Sequence, residues 1–138
     1  MINPIDLISE MERNAKNMIN KGNIVEAKKT LYNAFDSIKN EEFLYNELPD
    51  LAIILKKIFR DFLSIKEYDY ALKVLILINN TTRGKIKIIN EIKEFLKNIP
   101  EDFGISRYDK EIREISKNQW EIVELLNEIE RIQKNRSN

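Results

Sequence analysis

The chain has 138 residues, 43% hydrophobic and 33% charged, the composition of one ordinary globular domain rather than of a disordered segment. Lys plus Arg and Asp plus Glu are equal at 23 each, so the chain as a whole is not a polycation built to coat nucleic acid. Cysteine and histidine are both absent, which removes disulfides, thiolate zinc sites, a cysteine nucleophile and the commonest general base.

These absences lead us to expect no enzyme, no metal site and no cofactor. No apolar run reaches the ~20 residues of a bilayer span. The opening MINPIDLISEMER carries acids early and lacks a basic stretch followed by a long apolar one, so it does not read as a secretory signal. A cytoplasmic protein without membrane contact is expected.

With three prolines and three glycines, long windows run uninterrupted, and they read as helix. Asn3 and Pro4 mark a helix start, N-cap and first helical residue. Ile5, Ile8, Met11, Ala15 and Met18 then recur at spacings of three and four, the mark of one buried face. Gly22 ends that helix. A second helix over 24–39 places Ile24, Ala27, Leu31, Ala34 and Ile38 on one face, with Phe35 beside them. So short a turn between two helices makes them an antiparallel pair.

Pro49 and the acids of NEEFLYNELPD predict a loop over 40–50, with Phe43 and Leu44 tucked inward. A third helix is predicted over 50–65, with Leu51, Ile54, Leu55, Ile58, Phe59, Phe62 and Ile65 as its apolar residues. The fourth, over 67–79, is almost wholly apolar through ALKVLILI; its place after a turn and the lack of a partner strand favour helix over strand. NNTTRGK breaks the pattern, and a fifth helix over 85–98 follows, with Ile88, Ile89, Ile92, Phe95 and Leu96. After Pro100 and Gly104, the segment 106–134 contains neither proline nor glycine and predicts one long helix of roughly 40 Å. The expected architecture is therefore all-α: one domain over 1–138, with five or six helices. Its parts are a first hairpin at 1–41, a second at 50–80, a fifth helix at 85–98 and a long C-terminal capping helix.

The small residues carry a resemblance. Ala15 on the first helix, and Ala27, Leu31 and Ala34 on the second, joined by the turn KGNIVEA, resemble a tetratricopeptide repeat, a helical pair of ~34 residues. Alanine at the crossing lets two backbones approach closely. A second copy reads SIKEYDYALKVLILI, with Ala71, Leu75 and Tyr68 in the places of Ala27, Leu31 and Ile24. It departs from the family in having Phe59 where Ala15 stands and Ile78 where Ala34 stands, and its offset is 44 residues. The resemblance covers 8–41 and 52–85. It implies a protein or peptide partner bound in a groove lined by first helices, which here means Arg13, Asn14, Asn17, Lys21, Lys57 and Asp61.

Three other patterns bear on function. Between 56 and 97 bases outnumber acids, most densely at TTRGKIK, where Arg83, Lys85 and Lys87 are candidate phosphate contacts; this alternative makes the protein a nucleic-acid-associated subunit. Residues 36–50 run the other way, with Asp36, Glu41, Glu42, Glu47 and Asp50 against Lys39 alone. The last segment has heptad spacing through Ile112, Ile115, Gln119, Ile122, Leu126 and Ile129. A coiled-coil seam of Ile115, Ile122, Leu126 and Ile129 would give a homo-oligomer, the alternative being a helix packed back on its own chain. The reading favoured over all of these is a small non-catalytic adaptor or assembly subunit.

Overall fold

The computed structural model describes residues 3–117 and 119–137, all of them in helices, turns or loops. The chain divides by its contacts into two compact units, Met1–Ile86 and Lys87–Asn138. The first unit holds α1 (Pro4–Asn20), α2 (Ile24–Lys39), α3 (Leu48–Ser64) and α4 (Tyr68–Thr82). The second holds α5 (Ile89–Asn98), α6 (Asp109–Ile115) and α7 (Trp120–Ser137). The all-α class and the hairpin arrangement are as the periodicity predicts.

Local chemistry explains the first unit's boundaries. Asn3 accepts a hydrogen bond from the Ile5 N–H at 3.0 Å and Pro4 fills the first helical position. At the far end of α1 the Asn23 N–H donates to the Met18 carbonyl at 2.8 Å and the Gly22 N–H to Ile19 at 3.0 Å. That is a Schellman turn, which needs a left-handed residue, and Gly22 supplies it at φ +80°. The end of α3 repeats the device 44 residues on. Glu67 N–H donates to Phe62 at 2.9 Å and Lys66 N–H to Leu63 at 3.1 Å, with Lys66 itself at φ 64°.

These paired turns make opposite predictions. Gly22→Ala meets no atom within 4 Å, so its cost is backbone strain alone, about 1 kcal/mol. Lys66→Gly relieves the same strain and is expected to stabilise by a similar amount. Thermal denaturation of the two variants checks both signs.

The interior follows the apolar stripes. Ala15, Ala27, Leu31, Ala34, Leu51, Leu55, Ile58, Phe59, Phe62, Ala71 and Leu75 are fully buried. Helix α1 packs on both α2 and α3, and α3 on α4, so the first helices of the two hairpins lie side by side. Tyr32, Phe62 and Tyr70 form a ring cluster, with Tyr70 centred 4.5 Å from Tyr32 and 5.3 Å from Phe62. Glu67 ties the hairpins further, accepting from the Tyr32 hydroxyl at 3.0 Å and pairing with Lys28 at 2.9 Å. Burial and the neighbouring Glu67 push the Tyr32 phenol up to about 12.

Three expectations are corrected. Leu44 is 68% exposed rather than tucked inward, and only Phe43 is half-buried. Helix α4 runs three residues past Asn79, because Thr82 donates to the Ile78 carbonyl and the left-handed residue that stops the helix is Arg83. The segment 106–134 is not one helix. A 3-10 turn over Ile105–Tyr108 leads into α6, and the chain turns again before α7, where Gln119 N–H bonds the Ser116 carbonyl at 2.8 Å. In one straight helix Arg113 and Asn127 would stand about 21 Å apart. Here Arg113 Nη2 lies 2.6 Å from Asn127 Oδ1 and its Nε 2.8 Å from Asp109 Oδ1. The reversal is thus held by a guanidinium that reaches from α6 to α7. In the same unit the Phe103 ring packs edge-on against Phe95, centroids 5.8 Å apart, and α5 packs on α7.

Candidate functional site

The seam between α1 and α3 holds the unit's most unusual chemistry. Glu12 and Asp61 are 6% and 7% exposed, and they are the only carboxylate residues among the described residues of the first unit to be buried. Glu12 Oε2 and Asp61 Oδ2 meet no donor from any other group. Two adjacent carboxylates have no hydrogen to share unless one is protonated, so a single proton between them satisfies both. Burial first, then hydrogen bonding with Glu12 and its charge, push Asp61 up to about 8; the charges of Lys16 and Lys57 pull the other way. The pair therefore holds one proton through the neutral range.

Helical spacing makes this arrangement. Glu12 and Lys16 are four apart on α1, and Lys57 and Asp61 four apart on α3, so each helix sets one carboxyl and one ammonium on the shared seam. One residue from each carboxyl, about 100° round its helix, stand Arg13 and Arg60, both exposed. Among the described residues, none of Arg13, Lys16, Lys57 and Arg60 forms an ion pair within bridging distance. The banks of the seam are thus cationic, above the buried carboxyl pair.

Arg13, Asn14 and Asn17 are exposed along α1, Lys21 is exposed at its C-cap, and Lys57 is exposed on α3. Asp61 is corrected: it is a buried half of the carboxyl pair, unavailable for direct partner contact. Sequence reasoning passed over Glu12 and Lys16, and took Arg60 only as one of the bases between 56 and 97. Glu12 had a signal, since it interrupts the apolar stripe Ile5, Ile8, Ala15 at the position that turns inward.

The basic candidates separate. Arg83 and Lys85 share a cleft of about 620 Å³, but its opposite bank is Glu41 and Glu42, which oppose a phosphate backbone. Lys87 belongs to the second unit. The self-association seam is also corrected. Ile122 and Leu126 are fully buried within the folded chain, Ile115 and Ile129 are half-buried, and the break after Ile115 interrupts the heptads. Among the described residues no group of three acids could hold a metal ion, and no helix is long and apolar enough to cross a membrane. Comparison with known protein families, with curated proteins and with solved structures yields no match to this chain, so its function has to be argued from the seam and the surfaces beside it.

Proposed function

We propose that the chain is a cytoplasmic, non-catalytic protein-interaction module built on tetratricopeptide-like hairpins. The observation that carries this reading is the α1/α3 face. Two first helices lie side by side and leave Arg13, Lys16, Lys57 and Arg60 in solvent, none of them within bridging distance of a carboxylate among the described residues. Such a surface fits a protein or peptide that brings carboxylates to it, with charge setting encounter and register. The repeated Schellman turn at an offset of 44 residues and the fully buried Ala27/Leu31 and Ala71/Leu75 pairs support the repeat reading.

The test is a comparison of the wild-type chain with Arg13→Glu/Lys57→Glu as bait in native lysate with and without nuclease, read by quantitative mass spectrometry. A stoichiometric protein recovered on wild type and reduced at least tenfold on the variant, with unchanged melting temperature, is the expected result. Equal recovery on both baits overturns the reading. Recovery that vanishes only on nuclease treatment assigns the cations to nucleic acid instead.

A further inference from the structure

The cleft between the 41–45 loop and the 81–85 turn has two banks of opposite sign. Glu41 and Glu42 line one side, Arg83 and Lys85 the other, and no ion pair joins them across it. Between them Tyr45 is 72% exposed, its ring under the Lys85 ammonium at 4.9 Å, and the adjacent Leu44 is 68% exposed. Single exposed apolar side chains are ordinary; here Tyr45 lines the charged cleft and Leu44, next to it in the chain and outside the lining, adds a second exposed apolar side chain at its edge.

The loop that presents them is held in advance. Glu47 Oε1 accepts the Leu44 N–H at 2.8 Å, and the Glu47 N–H returns a bond to the Leu44 carbonyl at 2.9 Å. On the facing side Arg83 at φ 53° and Gly84 at φ 73° form a tight stop to α4. Little ordering is left for a partner to impose, which lowers the cost of association.

We infer that this cleft is a two-fold interface between copies of the chain, in which the acidic bank of each faces the basic bank of the other and Leu44 and Tyr45 meet at the axis. The argument is symmetry. A patch with acid on one side and base on the other is complementary to itself after a half-turn, and every cross-interface charge contact is then made twice. Nucleic acid fits less well, because half of the rim would repel it. The expected dissociation constant is about 10–100 μM, that of a weak dimer. This proposal is separate from the α1/α3 face and does not depend on it.

Sedimentation equilibrium at low salt tests it by charge exchange. Wild type is expected to dimerise as concentration rises, and Glu41→Lys/Glu42→Lys and Arg83→Glu/Lys85→Glu each to remain monomeric, because like charges then oppose each other. An equimolar mixture of the two variants is expected to recover the dimer, since both contacts become complementary in the mixed pair. Leu44→Ser, which changes no charge, is expected to weaken the wild-type dimer about tenfold, and it serves if a charge variant fails to fold. A wild type that stays monomeric at about 1 mM, a dimer indifferent to the charge reversals or to Leu44→Ser, or a mixture that stays monomeric overturns the proposal.

Discussion

The Glu12–Asp61 pair is expected to lower stability by on the order of 3 kcal/mol as pH rises from 5 to 8.5, and Asp61→Asn is expected to remove that contribution. In the folded chain Asp61 is pushed up to about 8 by burial and by Glu12. In the unfolded chain it titrates near the ordinary carboxylate value of about 4. Between those values the folded state holds a proton that the unfolded state has released. Unfolding there releases a proton, so the stability this pair contributes is fully present below about pH 4 and is lost progressively as pH climbs through about 8. The slope cannot exceed about 1.4 kcal/mol per pH unit for one proton.

Asparagine at 61 gives Glu12 an amide donor in place of the shared proton and cannot ionise. The variant should match wild type near neutrality and exceed it above pH 8. Urea denaturation of both proteins at several pH values, read as their difference, isolates this pair from the carboxyls of the second unit. There burial and Asp109 raise Glu130, while hydrogen bonding with Glu130 and Arg113 lowers Asp109. Parallel pH profiles for wild type and Asp61→Asn would show that no proton is shared in the seam.

Phe59→Ala is expected to destabilise the first unit by about 3–5 kcal/mol, a large share of the stability of an ordinary domain. Phe59 is fully buried on α3 at the place corresponding to Ala15 on α1, which is also fully buried. The two hairpins thus satisfy the same register with opposite volumes. The first buries a methyl group there; the second buries a ring. Removing the ring leaves a cavity that the helices close only in part, whereas Ala15→Leu overfills a tight crossing and is expected to cost about 1–3 kcal/mol. Denaturation midpoints with unchanged m-values measure both. A loss below about 1 kcal/mol for Phe59→Ala would mean that α3 can settle against its neighbours without the ring.

The same pair shows how far the sequence carries. Its alanines and the turn before Ile24 were enough to read the first hairpin almost to the residue, because Pro4, Asn3 and Gly22 act through bonds to atoms a few positions away. The 40–50 loop was legible as a break, but Leu44 was not legible as exposed: its outward course is set by the Glu47 carboxylate returning to its N–H. The heptads of the last segment were genuine apolar spacing that described two helices rather than one. Periodicity records which faces are apolar and is blind to a reversal between them, and what holds this reversal is Arg113 meeting Asn127 and Glu130.

By itself, then, the sequence determined the helical class, the hairpin turns and the stripes that form the core, since propensity, capping and 3.6-residue spacing are short-range properties. It also set the absence of histidine and cysteine chemistry. Only the tertiary structure decided that Asp61 lies against Glu12, forty-nine residues earlier in the chain (61 − 12), and so shares a proton instead of meeting solvent. It likewise brought Glu41 and Glu42 opposite Arg83 and Lys85. The physical reason is the same in both cases. The charge state and accessibility of a polar side chain depend on what packs over it, and helix packing chooses that neighbour from residues far away in sequence.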